Sequence, residues 1–384
     1  MKKPSMNQKT PLVLLALVLG GTRTGPAWAN SSQAIEQVDT SRAPASVRDS
    51  DFSSFAIRNW SNVRSWLGTR GVEIVGSYKG DIMSCFDGGI KRQPEALGLF
   101  DLGLSFDFEK SLGFRGTSAF FQGNVAHGGD PSRSIGDVQQ TSNIEALDSV
   151  TILSAWVEQS FLGGDLRILA GLYDLNSEFY VSPSAGIFLN GSFGAGAEIA
   201  ISGENGPSMY PATSLGVRIK TQPSATTYVQ AVLLDGVPGD PTRPSGTHIR
   251  WNSSEGFLST FEGGYRERSS KLAVGAWTYT SRVSRGAYIL GERALISGVS
   301  GFLRYGVSTG TPFGSCLAVG ANLAGKYGIA ATWARPETTF ELTYRWEVAE
   351  GIVLQPDLQR VIAPGSNPDL PAAWVGGLRL EVSL

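Results

Sequence analysis

Ser308, set between Gly306 and Gly310, has the Gly-x-Ser-x-Gly spacing of a nucleophile elbow. Such an elbow needs a sharp strand-to-helix turn to expose the hydroxyl, and a histidine to take its proton. Thr311-Pro312-Phe313-Gly314 follows and does not open a helix cleanly. His127 and His248 are the two histidines of the chain, and both lie in Gly/Pro-rich, loop-like sequence. Gly194-Ala195-Gly196 opens no helix after a βαβ strand, and neither His-Glu-x-x-His nor Cys-x-x-Cys occurs. No catalytic residue, metal ligand or cofactor is expected. Ser308 remains the enzyme alternative, open to test by Ser308→Ala.

A second set of residues suits physical rather than covalent chemistry. Arg167, Arg218, Arg304 and Arg379 sit on the polar side of alternating stretches, as do Glu158, Glu262, Glu341 and Asp357. Gln355 and Gln359 flank Asp357 as neutral partners. Guanidinium offers a planar fork of five donors and a carboxylate only acceptors. Along a wetted wall, mixed signs hold a transverse field that orients water and hydroxylated solutes without strong ion selectivity. The plainer reading of any one of these residues is an ordinary charge in a wetted interior. Gln355-Pro356-Asp357-Leu358-Gln359 stands out as a group, because proline donates no ladder bond and so predicts a bulge.

The elements that must position these groups are strands. Leu102, Leu104, Phe106 and Phe108 alternate with Asp101, Gly103, Ser105 and Asp107. Leu166, Ile168, Ala170 and Leu172 alternate with Arg167 and Gly171, and Leu215, Val217 and Ile219 with Arg218 and Lys220. Phe257, Phe261 and Tyr265 oppose Glu262 and Arg266; Phe340, Leu342, Tyr344 and Trp346 oppose Glu341, Arg345 and Glu347. Leu378, Leu380, Val382 and Leu384 oppose Arg379 and Glu381. Period two puts each set on one face of a sheet. One stretch differs: in 52–71, Phe52, Phe55, Ile57, Trp60, Val63, Trp66 and Leu67 recur at helical spacing, with stops at Gly68 and Gly71.

Composition narrows the class. Of 384 residues 48 are Gly, 17% are charged and 41% are hydrophobic, which excludes wholesale disorder. A formal net charge of −2 excludes nucleic-acid binding by bulk basicity. Lys2, Lys3 and Lys9, the apolar run from Pro11 to Leu19 and Ala27-Trp28-Ala29 form a signal peptide with its cleavage site. Its removal takes four basic and no acidic residues, moving the charge from −2 to −6. No later apolar stretch reaches the length of a spanning helix, so the exported chain is soluble or crosses a membrane as strands. Cys85 and Cys316 are no disulfide framework, and their pairing is left open.

A barrel is favoured over a soluble sandwich. Gly often occupies inward positions, and a strand runs to the C-terminus. Tyr173, Trp251, Tyr265, Trp277, Tyr279, Tyr344 and Trp346 lie toward segment ends, as interfacial girdles would place them. At ~9–11 residues per spanning strand, about 16 strands fit, enough to enclose an aqueous channel.

The sequence also resembles the OprB-type carbohydrate-selective porins of Gram-negative outer membranes. Trp60-Ser-Asn-Val-Arg64-Ser-Trp-Leu67 through Gly71-Val72 is similar to the segment before that family's first strand. Cys85-Phe-Asp-Gly88-Gly89 sits where its Gly-Gly element falls. Ser142-Asn143-Ile-Glu145-Ala146, Trp156-Val-Glu158-Gln159, Glu178-Phe179, Phe188-Leu-Asn190 and Phe193-Gly194 follow its central pattern. Leu354-Gln355-Pro356-Asp357-Leu358-Gln359, followed by Pro364-Gly365, is the most specific match. Departures are Trp60-Ser-Asn for the usual Trp-Gly-Gly, Arg360 where an aromatic is common, and a terminal Leu384 where Phe is common. The resemblance implies a 16-stranded barrel, short N-terminal helices at the periplasmic side, and passage of glucose and similar sugars.

The sequence thus predicts an all-β, transmembrane antiparallel barrel over 72–384. A cleaved signal over 1–29 and an exported segment with a short amphipathic helix over 30–71 precede it. Mono- or disaccharides are the expected permeants, outer-membrane lipid and the barrel-assembly machinery the expected partners, and a homo-oligomer is left open. The alternatives are a general or anion-preferring porin and, from another class, a secreted soluble β-protein that binds glycans.

Overall fold

The computed structural model describes residues 60–383 apart from Trp251, Ser253 and Arg282. The predicted signal peptide, the segment 30–50 and the first half of the predicted helix lie outside the described residues. The rest of that helix is present as α1 (Trp60–Thr69), which buries Val63 and lays the Arg70 guanidinium 3.8 Å from the Trp66 ring centroid. It ends at Gly71, whose φ of 76° is left-handed. A Cβ there would meet the Asp107 carbonyl oxygen at 2.4 Å, so only glycine lets the chain turn into the first strand at that point.

Strands then follow one another around the molecule: β1 (Val72–Asp87), β2 (Pro94–Asp107), β3 (Thr117–Gly128), β4 (Ser149–Phe161), β5 (Leu166–Tyr173) and β6 (Ser214–Thr221). Next come β7 (Thr227–Asp235), β8 (Phe257–Glu267), β9 (Ser270–Tyr279), β10 (Arg285–Ile296), β11 (Val299–Thr309) and β12 (Ser315–Leu323). The last are β13 (Tyr327–Ala334), β14 (Glu337–Tyr344), β15 (Trp346–Ala349), β16 (Ile352–Ile362) and β17 (Ala373–Ser383). β14 and β15 both pair with β16 in one register and form a single stave broken at Arg345. Every stave pairs antiparallel with its successor, and β17 pairs back onto β1 from Ser77↔Ser383 to Asp87↔Trp374. The result is a closed barrel of 16 staves with no free edge.

The break at Arg345 bears on the predicted bulge. Tyr344 and Arg345 face Pro356 and Gln355, so the ladder lapses where Pro356 has no N–H to give. It resumes in the same register, and β16 runs unbroken along β17 through Pro356↔Leu378. The proline costs a ladder bond without adding a residue to the strand.

Alternation sorts the two faces. On β7, Tyr228, Gln230, Val232 and Leu234 are buried, while Val229 and Leu233 are exposed. The outer wall carries exposed apolar side chains such as Val157, Val217, Phe261, Ile289, Leu303 and Leu342. Three sequence expectations fail here, each for a packing reason. Phe108 leaves the alternating set, because Asp107 caps a short helix, α2 (Phe108–Leu112), through the Glu109 and Lys110 amides. Tyr173, Trp277 and Tyr279 belong to no girdle: all three are buried inside the barrel, where they pack on an infolded connection. The connections after Val72 also hold two more short helices, α3 (Pro131–Ile135) and α4 (Ala197–Ala200), both too short to show a helical period.

The two rims differ. One has short turns at 162–165, 268–269, 297–298 and 350–351, together with α1 and the end of β17. The other carries the long connections 129–148, 174–213, 236–256 and 363–372. In outer-membrane barrels the short turns are periplasmic and the long loops extracellular. Two of the long connections fold into the lumen. Phe179, Tyr180 and Ile199 pack on Val232, Leu258 and Leu290, while Phe188 and Phe193 pack on Phe302, Ala318 and Ala330. One side of the barrel is therefore filled with an apolar core.

Candidate functional site

Wall side chains grip the backbone of the connection 174–213 as a groove grips a peptide. Glu262 on β8 accepts from the Tyr180 amide at 2.8 Å and from the Tyr228 and Tyr288 hydroxyls at 2.7 Å each. Glu292 on β10 accepts from the Ser184 amide and the Ser182 hydroxyl, both at 2.9 Å. Glu341 on β14 accepts from the Leu189 amide at 2.6 Å and the Asn190 amide at 3.0 Å. Donors answer on the carbonyl side. Arg304 on β11 donates to the carbonyls of Ser192 and, at 2.7 Å, Gly194; Lys271 donates to Val181 at 2.6 Å and Gln355 to Ile187 at 2.6 Å. Backbone groups inside a lumen need such partners, since an unpaired buried amide or carbonyl costs ~1–3 kcal/mol.

Arg218 on β6 bridges Glu158 on β4 and Glu178 of the infolded segment, the latter at 2.8 Å. Lys220 reaches the other Glu178 oxygen at 2.9 Å, and the Tyr173 hydroxyl donates to Glu178 at 2.7 Å. Burial works against the Glu178 charge, but the Lys220 and Arg218 cations win and hold its carboxyl down at about 2.

The connection 129–148 is fastened on the facing side. Glu337 accepts from the amides of Val138 and Gln139 at 3.0 Å and of Gly365 at 2.7 Å. Asp81 on β1 takes both Arg379 bonds at 2.7 Å and a third from the Ser142 hydroxyl at 2.7 Å. Arg379 also reaches Asn143 Oδ1 at 2.8 Å, and Gln359 donates to the Thr141 carbonyl at 2.9 Å and to Asp357 at 2.9 Å. The two connections bind each other through Asn143 N to the Leu189 carbonyl and Gly191 N to the Gln140 carbonyl, both at 2.7 Å.

What remains beside this double plug is a polar arc of wall. Arg345 meets Glu381 at 2.8 Å, Glu381 stands opposite Lys79 in the β17–β1 register, and Asp101 stands opposite Ser77, two residues from Lys79 on the same inward face. Asp101 on β2 accepts from Gln122 on β3 at 3.1 Å. Asn124, two residues further along the same inward face, leaves its Oδ1 buried without a partner. Asp101 and Gln122 are half-buried, while Lys79, Asn124 and Glu381 are buried, at 5% exposed or less, nearly as deeply as Arg218, Arg304, Glu262 and Gln359 at 1% or less.

All ten side chains singled out from the sequence sit on inward positions, but most are committed to the plug. Arg218, Arg304, Arg379, Glu158, Glu262, Glu341, Gln355 and Gln359 clamp a connection or one another, and Asp357 accepts from Gln359. Arg167 stands apart near the short-turn rim, donating to Gln222 at 2.9 Å. The sequence reading missed Lys79, Asp81, Asp101, Gln122 and Asn124 as site residues. On β1 the period was there to be read, but Gly80 and Ser84 dilute the outward set while Met83 and Cys85 dilute the inward one.

Ser308 lies within β11 and donates to the Phe313 carbonyl at 2.7 Å, with Thr311 Oγ1 2.6 Å away. His127 meets the Tyr78 hydroxyl at 3.3 Å on the outer wall, and His248 meets the Ser245 carbonyl at 3.0 Å. The strand-to-helix turn that an elbow requires is not what surrounds this serine.

Comparison with known proteins agrees with this architecture. The profile of the OprB family of carbohydrate-selective porins matches residues 91–311 and 306–384. The high-pH structure of Pseudomonas putida OprB superposes with a TM-score of 0.74 at 15% identity, covering 85% of this chain and 98% of that one. The low-pH structure of the same protein gives 0.56 at 15% identity, covering 85% and 97%. A triple mutant of the Rhodopseudomonas blastica porin gives 0.56 at 10% identity, covering 82% of this chain and 100% of the porin. These identities speak for the fold alone. No curated protein sequence matches the chain.

Proposed function

Since the chain belongs to the OprB family of carbohydrate-selective porins, we propose that its permeants pass along the polar arc of β17, β1, β2 and β3. The family and the barrel imply a channel in a Gram-negative outer membrane rather than an enzyme. The observation that carries the finer reading is the division of the inward charges. Those on β8 to β14 are spent on the plug, as are Asp81 of β1 and Arg379 of β17 toward the long-loop rim, while Lys79, Asp101, Gln122 and Asn124 make none of those bonds.

A neutral sugar carries hydroxyls that both donate and accept. A path for it must replace part of its hydration without holding it. Lys79 supplies donors, Asp101 acceptors, and the two amides both, in an order that suits a rim of hydroxyls sliding past. Mono- and disaccharides fit this chemistry, and opposed charges disfavour a strong preference for either ion. We further propose that residues 1–29 are a cleaved export signal, and that the barrel-assembly machinery inserts the chain into lipid.

The test is single-channel conductance of the refolded full barrel in a planar bilayer, titrated with glucose and then a disaccharide. Saturable block by glucose, weakened at least threefold in Asp101→Asn or Lys79→Met, is the expected result. Block of normal strength in both variants would move the path off this arc. Openings indifferent to every sugar would make this member a general porin.

A further inference from the structure

On the outer wall two guanidinium groups lie over indole rings with no carboxylate to answer them. Arg335, in the turn after β13, lies 4.5 Å from the centroid of Trp333, and Arg360 on β16 lies 4.8 Å from that of Trp374 on β17. Trp333, Trp374 and Arg360 occupy outward positions of their strands, and Arg335 is exposed. Among the described residues neither arginine forms an ion pair. One Arg360 bond goes to the Ala372 carbonyl at 3.2 Å, which fixes that guanidinium against the wall and leaves its other donors unspent.

Both pairs sit at the rim of the long connections, on staves separated by β14. Trp333 faces Thr338, Thr338 faces Ile362, and Arg360 is two residues further along the same outward face. Two strand spacings and two residue rises put Trp333 and Arg360 about 12 Å apart. At the opposite rim, the exposed aromatics behave otherwise. Tyr327 and Tyr344 stack on each other at 4.7 Å, and Trp346 is 53% exposed. Among the described residues, the cation–π pairs of the strand wall's outer face lie at the extracellular end alone.

An aromatic belt by itself needs no cations. A guanidinium stacked on an indole at headgroup depth keeps its edge free for a planar, bidentate bond to phosphate. The outer leaflet of a Gram-negative outer membrane consists of phosphorylated glycolipid, and the asymmetry of the wall matches the asymmetry of that bilayer. We propose that Arg335 and Arg360, seated on Trp333 and Trp374, form a binding site for the phosphorylated disaccharide headgroup of an outer-leaflet glycolipid. The indoles meet the sugar and the first methylenes, and each guanidinium takes a phosphate. Arg360, which departs from the aromatic common at its place in the family pattern, thereby has a role outside the channel.

The test uses the full refolded barrel in mixed micelles and native mass spectrometry, with bis-phosphorylated lipid A, its dephosphorylated form and phosphatidylglycerol as probes. Expected is a bound lipid A that survives activation, with tenfold less retained for the dephosphorylated form and for phosphatidylglycerol. The double variant R335A/R360A should lose at least fivefold, and R335K/R360K less. Glucose block in the bilayer stays unchanged in both, which separates this outcome from any failure of the channel reading. Equal retention by wild type and R335A/R360A, both shown folded by heat-modifiable mobility, would overturn the site. Retention of phosphatidylglycerol equal to that of lipid A would overturn the glycolipid as its occupant.

Discussion

Two arcs of the same inner wall use the same residue types in different ways. From β8 to β14, Glu262, Glu292, Arg304, Glu337 and Glu341 bond chiefly to backbone amides and carbonyls of the infolded connections. From β17 to β3, Glu381, Lys79, Asp101 and Gln122 occupy adjoining inward positions with Asp101 bonded to Gln122, while Asp81 and Arg379 nearer the long-loop rim hold Ser142 and Asn143 by their side chains. An inward charge in a barrel is thus no sign of a channel surface. What it touches decides: a backbone group that would otherwise be orphaned makes it a bracket, and another wall side chain makes it part of a network within the wall.

The largest effect should come from breaking the brackets. Replacing Glu341 with Ala leaves the Leu189 and Asn190 amides unpaired in the lumen. Each buried amide left unpaired costs ~1–3 kcal/mol. That cost falls on the docking of the connection more than on the strands, whose ladders are untouched. The expected outcome is a severalfold larger conductance with glucose block lost, from barrels that still show heat-modifiable mobility. Arg304→Ala should do the same by freeing the Ser192 and Gly194 carbonyls. Wild-type conductance in both variants would mean that the apolar packing of Phe188 and Phe193 alone holds the plug.

Changes on the polar arc should be smaller and of another kind. Asp101→Asn removes one charge and keeps the shape, and Lys79→Met removes the opposite one. Cation preference should fall in the first and rise in the second, with conductance altered less than about twofold, as expected when a pore's lining rather than its bore is changed. Reversal potentials in a salt gradient measure this directly. Opening of the pore by either variant would erase the distinction between bracket and channel face.

Much of the wall was legible in the sequence, because period two survives wherever one face meets lipid. Leu378, Leu380 and Val382 against Arg379 and Glu381 read the same way in both views. The plug was not legible. Residues 174–213 hold no sustained period, and apart from Glu178 their anchors to the wall are chiefly main-chain atoms that no side-chain pattern reveals. Trp277 and Tyr279 show the consequence: they read as girdle residues only while the lumen was taken to be open. The charges of β1 were hidden for a different reason, since a strand whose outward face includes Gly80 and Ser84 alternates weakly.

Acidity should act on the connection 129–148 more than on the wall. Burial, then the Asp137 and Asp130 charges, push the Glu145 carboxyl up to about 9, with the Ser132 amide pulling the other way. Tyr210 also faces this carboxyl. The folded protein therefore holds a proton that the unfolded chain releases near 4.5, so this group's contribution to stability falls as pH rises from about 4.5 to about 9. Glu145→Gln should flatten that decline, read as the midpoint of heat-modifiable mobility against pH. A slope equal to wild type would assign the pH response to other carboxyls.

The smallest effect is expected at Arg167, which shares the type and inward parity of Arg218 and Arg304 but stands at the short-turn end of its stave, away from the segment 174–213 that Arg304 holds. Its guanidinium is half-buried and meets the Gln222 side chain beside the short-turn rim. Arg167→Ala should leave conductance and glucose block near wild type while Arg304→Ala opens the pore. That contrast isolates the environment, because residue type and face are held constant. If Arg167→Ala weakens sugar block as much as Asp101→Asn does, the sugar path sweeps past β5 as well, and the polar arc is wider than β17 to β3.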